Sequence, residues 1–127
     1  MMDFILQLHS GVRWLVVLMT IVAFVWLLVR YVQNKSYDKR THGIVAGWAG
    51  LVGLQWIIGI ILILVMGTYT GTQWSHAGIM TLALAVAHGY VALKKRPDKT
   101  RFVGGMASII GVMVLVFVGV QMVNGWS

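Results

Sequence analysis

The sequence predicts an all-α fold: an integral membrane four-helix up-down bundle with both termini on the outer side. Three observations predict it. The 127 residues are 59% hydrophobic and only 10% charged, and the apolar residues gather into four runs of about 20, enough to cross ~30 Å of hydrocarbon as a helix. The links between the runs are short, so neighbouring helices should be antiparallel. Nine of the ten Lys and Arg lie in the first and third links or at their edges. Both links therefore belong on one side, the cytoplasmic one.

In chain order, helix one is expected at about 8–31. The opening MMDFILQLHSG has no basic n-region, and no short h-region with a small-residue cleavage site follows, so the first run should stay in the protein. A basic link, QNKSYDKR, precedes helix two at about 43–66. The next link, GTYTGTQWS, is neutral and rich in Gly and Thr, a loop composition. Helix three is expected at about 76–93. The link KKRPDKTR contains Pro97, which stops a helix at or before Arg96. Helix four follows at about 102–123, and NGWS closes the chain. Residues 1–127 read as one transmembrane domain with no internal repeat. Trp14, Tyr69, Trp74 and Trp126 would mark the outer interface, and Tyr31, Tyr37 and Trp48 the inner one.

Composition excludes several functions. Without cysteine there are no disulfides, no thiolate chemistry and no Cys-ligated clusters. There is no glutamate, and Asp3, Asp38 and Asp98 all fall outside the apolar runs. Moving protons or cations usually needs a carboxylate inside the membrane, so a proton-coupled carrier is disfavoured. The net charge of +7 is explained by topology, not by nucleic acid. No catalytic activity of its own is expected.

The stretch from His76 to Arg96 carries the chemistry. A titratable side chain at membrane depth is costly and marks a functional site by default. His76 opens helix three on the same side as His9 of helix one. Two histidines at one depth on diagonal helices could clamp a haem, since neutral imidazole ligates iron well. His9, Arg13 and Thr20 share a helix face that should point into the bundle. Arg13 would hold an anionic group such as a haem propionate. The plainer reading leaves His9 and His76 wet at the interface and Arg13 snorkelling to headgroups. His88 is ~18 Å further along and about 120° around from His76. It is expected to point at another helix, either hydrogen-bonded to a carbonyl or Thr20, or ligating a second group. No other histidine should share its depth, with His42 at the inner rim. Gln55, near Trp48 and Gly59, reads as interhelical glue or a ligand donor. Met80, one turn from His76, is an alternative axial ligand. Small residues line Gly43, Gly47 and Gly50 of helix two, Gly78, Thr81, Ala85 and Ala92 of helix three, and Gly104, Ser108 and Gly111 of helix four. Gly105, Ala83 and Ala87 add second small faces, a surplus that suggests a neighbouring helix from outside the bundle.

His9-Ser10-Gly11-x-Arg13-Trp14, Gln55-x-x-x-Gly59, His76-x-x-x-Met80 and Ala87-His88-Gly89 together resemble a family of small bacterial four-helix membrane proteins described as cytochrome-b-like. The resemblance covers most of the chain and implies a haem-b bundle in a bacterial inner membrane, with His9, Arg13 and His76 as site residues. One departure matters. Family members often carry a histidine two positions before the glutamine, where this chain has Gly53, so a haem held there in relatives would be held differently here or lost.

The leading expectation is an electron-transfer module binding one b-type haem near the outer face. His9 and His76 would be axial ligands, Arg13 a propionate partner, and His88 a further cofactor-binding candidate. The rival is a non-catalytic accessory subunit of a larger respiratory or photosynthetic complex. A small transporter or channel is a third class. Expected partners are the lipid bilayer and other transmembrane subunits or a second copy of the chain.

Overall fold

The computed structural model describes residues 2–66 and 71–122. Within them the chain forms four helices: α1 (Met2–Val32), α2 (Lys39–Met66), α3 (Gly71–Ala87) and α4 (Asp98–Met122). A 3₁₀ segment, His88–Leu93, prolongs α3. All four helical stretches are long and apolar enough to cross a membrane, α3 being the least apolar. α1 packs most extensively on α2, and α3 on α4, with lighter seams between α1 and α4 and between α2 and α3. Helices one and three are thus diagonal, as the short links require. This is a multi-pass membrane protein built as an up-down bundle.

Every helix begins earlier than its apolar run. α1 starts at Met2 rather than near residue 8, α2 at Lys39 rather than 43, α3 at Gly71 rather than 76, and α4 at Asp98 rather than 102. The reason is physical. Apolar length measures the part in hydrocarbon, whereas a helix continues through polar residues until a cap or a breaker ends it. The sequence GTQWS, expected as loop, is the first turn of α3.

The ends of α1, α2 and α4 show what stops and starts them. Asn34 has φ 56°, in the left-handed region, and its N–H donates to Tyr31 O at 3.1 Å while that of Lys35 donates to Arg30 O at 3.0 Å. This pair of bonds closes α1, with Asn in the place glycine usually takes. Asp38 then caps α2: its Oδ1 accepts the Thr41 N–H at 2.9 Å, as an N-cap carboxylate does. Its Oδ2 pairs with Arg30 at 3.0 Å. The Thr41 hydrogen bonds, with help from Arg30, hold the Asp38 carboxyl below its usual 3.8. α4 starts directly after Pro97, whose carbonyl accepts the Arg101 N–H at 3.1 Å. Asp98 Oδ2 accepts the Tyr37 N–H at 3.1 Å. The Arg101 guanidinium lies 3.9 Å from the centre of the Tyr37 ring. Burial pushes the Tyr37 phenol above its usual 10.0. Both basic links therefore occupy one end of the bundle, the basic end.

The core runs along the axis. Trp48, Phe102, Leu27, Ile109, Val45 and Val112 are fully enclosed, with Thr41 among them. Trp48 was expected in an interfacial belt; it is 0% exposed, and its indole N–H donates to Thr20 Oγ1 at 2.8 Å. Thr20 in turn donates to Val16 O at 2.6 Å. This satisfies the indole, which is what permits a tryptophan to be buried whole. Tyr37 is buried too, edge-on to Phe102 at 5.1 Å. Trp14 and Trp74 do face outward, at 56% and 55% exposure. Tyr69 and Trp126 lie outside the described residues.

Small residues are used unevenly. A Cβ on Gly104 would collide with Leu93, one on Gly105 would lie 3.0 Å from Leu27 Cδ1, and one on Gly111 3.3 Å from Val86 Cγ1. Both small faces of α4 are therefore occupied inside the bundle, by α3 with its 3₁₀ extension and by α1. Ala77, Ala83 and Ala87 are the buried face of α3. The surplus expected on Gly104 and Ala83 is not there. It lies elsewhere: Gly78, Thr81 and Ala85 of α3 are exposed, as are Gly43, Gly47 and Gly50 of α2, and none of these four glycines has a neighbour within 4 Å of a Cβ position.

Candidate functional site

All four helices contribute to one cluster at the end opposite the basic links. α1 brings His9 and Arg13, α2 brings Gln55 and Gly59, α3 brings His76 and Met80, and α4 brings Gly119. The helices converge there because small residues let them. A Cβ on Gly119 would sit 2.5 Å from Met80 Cε and 3.4 Å from His76 Nδ1, so only glycine admits both side chains of α3. A Cβ on Gly59 would meet His9 Cε1 at 3.5 Å, which shows the imidazole packed against α2.

His76 Nδ1 lies 2.7 Å from Gly119 O. A carbonyl only accepts, so Nδ1 carries the proton and donates it. The neutral ring then has its lone pair on Nε2. Gln55 Nε2 donates to His9 O at 2.9 Å, from α2 to α1. The His9 ring interacts electrostatically with His76, Gln55 and Arg13. His9 of α1 and His76 of α3 are thus within electrostatic reach of each other across the diagonal of the bundle. His9 Nδ1 and Gln55 Oε1 are both enclosed, and the Gln55 side chain faces the His9 ring. The Arg13 guanidinium is 5.3 Å from the Trp14 ring.

His88 is not part of this cluster. It is exposed, and its Nδ1–H donates to Leu84 O of its own helix at 2.9 Å. The expectation that it points at another helix, or at Thr20, is corrected: Thr20 is held by Trp48. His42 and His88 both lie against Tyr90, at ring-centre distances of 5.6 and 6.3 Å.

Sequence reasoning missed Gly119. The signal was available: a lone glycine in the β-branched run VLVFVGV marks close backbone approach. Among the described residues no group of three or more His, Asp or Glu could hold a metal ion. Cavities of about 240 and 510 Å³ lie elsewhere, the first at the basic end and the second along the outward face of α1. The chain matches no family model, no curated protein and no solved structure.

Proposed function

We propose that this chain is an integral membrane electron-transfer module that holds one b-type haem between His9 and His76. The observation that supports this most is the His76 Nδ1–H bond to Gly119 O. A ligating histidine almost always gives its other ring N–H to a carbonyl or carboxylate, which fixes the tautomer and orients the ring. The enclosed His9 Nδ1 and Gln55 Oε1 belong to the same cluster. When bound, haem supplies a one-electron couple. The chain's part is to present neutral imidazoles from α1 and α3, to keep water out with apolar helices, and to offer Arg13 to a propionate one turn from His9. Met80, one turn from His76 on α3, would be the alternative axial ligand.

The proposed setting is a bacterial inner membrane, with the basic links cytoplasmic and both termini outside. A reporter active only in the cytoplasm, fused after Ser127, should be silent; activity would reverse the orientation. Haem itself is tested by colour. Purified protein should show a Soret band and reduced α bands, and a colourless preparation from haem-replete membranes overturns the proposal.

The exposed Gly43, Gly47 and Gly50 of α2 favour a second reading, that the module works as a subunit beside another transmembrane helix. Gly47→Leu should then release the partner, or a second copy, in mild detergent while leaving the bundle folded. A single 14.1 kDa chain from unmodified membranes counts against it.

A further inference from the structure

The cavity of about 240 Å³ at the basic end lies between the end of α1 and the start of α4. Its floor is aromatic: Tyr31 and Phe102 meet edge-on at 6.4 Å. Its rim carries Asn34, Lys35, Ser36 and Lys99. The rim is fixed, because Asn34 holds the left-handed turn that ends α1 and the Asp98 bond to Tyr37 N ties the link to α4. The other cations nearby are committed, Arg30 to Asp38 and Arg101 to the Tyr37 ring. Lys35 and Lys99 are exposed and make no ion pair among the described residues. Asp98 is the one acid on the wall, and its Oδ2 already accepts a backbone N–H.

We propose that this cavity binds the phosphate headgroup of an anionic phospholipid, with Lys35 and Lys99 as the charged clamp. A cationic rim at the edge of the hydrocarbon suits a lipid phosphate whose glycerol backbone rests on the half-buried Tyr31. Basic pockets between transmembrane helices recognise such headgroups. Ser36 and Asn34 supply neutral donors for the remaining phosphate oxygens. The site is independent of the haem proposal and at the opposite end of the bundle.

The test uses the full chain in phosphatidylcholine nanodiscs, titrated with phosphatidylglycerol and read by native mass spectrometry and by thermal melting. Phosphatidylglycerol should be retained and should raise the melting temperature. With each lysine worth about a fivefold change, Lys35→Gln with Lys99→Gln should weaken retention about thirtyfold, and Lys99→Gln alone about fivefold. Lys94→Gln with Lys95→Gln, which removes two charges away from the cavity, should leave it within about twofold. Equal loss in both pairs would mean diffuse surface attraction and would overturn the site. Competition by inorganic phosphate at equal concentration would assign the cavity to free phosphate instead and overturn the lipid. Equal retention of phosphatidylcholine would do the same.

Discussion

At the basic end, the acids Asp38 and Asp98 each take a backbone N–H, and Arg30 is tied to Asp38. Most of these bonds are local: Asn34 to Tyr31, Asp38 to Thr41, Arg30 to Asp38. At the His9 end no acid is among the described side chains in the cluster. Its bonds run between helices far apart in sequence, Gln55 to His9 and His76 to Gly119. The comparison separates two uses of polarity. Carboxylates and caps at one end stop and start helices in a wet interface. Imidazoles and an amide at the other are placed inside the bundle by close backbone approach.

The sharpest way to break this contrast is a histidine exchange. His76→Ala should remove bound haem entirely, while His42→Ala leaves the spectrum unchanged; the reverse result would move the site to the basic end. Next in size is Phe102→Ala, the enclosed aromatic beneath the basic links. It should cost about 3–5 kcal/mol, measured by denaturation in detergent, without shifting the absorption maximum of the folded fraction. Two glycine substitutions sharpen the comparison further. Gly119→Leu and Gly104→Leu both overpack an α3–α4 contact and should each cost about 1–3 kcal/mol. Only Gly119→Leu should also displace His76 and lose pigment, and equal pigment in both would detach the glycine from the site.

The smallest expected effect is on pH. The folded Asp38 carboxyl titrates below its unfolded value of 3.8, so its contribution is complete above that value and fades as pH falls through the lower folded one. Asp38→Asn should flatten the acid arm of stability between about pH 5 and about pH 2. Parallel curves for the two proteins would show that Asp38 carries none of it.

The parts of the fold legible in the sequence were those set by composition and by local chemistry. Four apolar runs gave four helices, and short links gave their antiparallel order. Pro97 marked a true break, though the sequence did not announce that α4 resumes at the very next residue. Helix starts were misplaced because polar first turns, such as GTQWS, look like loop when only hydropathy is read. The candidate site was singled out by residue type: His9 and His76, the membrane-depth histidines of α1 and α3, are within electrostatic reach of each other. Its supports were not. That Trp48 takes the Thr20 hydroxyl, or that Gly119 offers its carbonyl to His76, depends on how helices rotate about their axes. Rotation is set by packing between distant segments, which a single strand of text does not display. His88 was misjudged for the same cause: its neighbours on α3 are small, but the buried alanines face the other way.

The tight glycine contacts between α3 and α4 have a mechanical consequence. Leu93 against Gly104 and Met80 against Gly119 sit near opposite ends of one seam, like two dowels through a pair of boards. They prevent sliding or twisting of α3 against α4, so these two helices behave as a single strut. α1 and α2, joined by Trp26 to Thr41 at 3.0 Å and Gln55 to His9, form the other. The lighter seams between the struts are then the place where the bundle breathes, and His9 and His76 stand on opposite sides of that gap. Whatever bridges the two rings would rivet the halves, and its loss should appear first as faster amide exchange along the α1–α4 and α2–α3 seams.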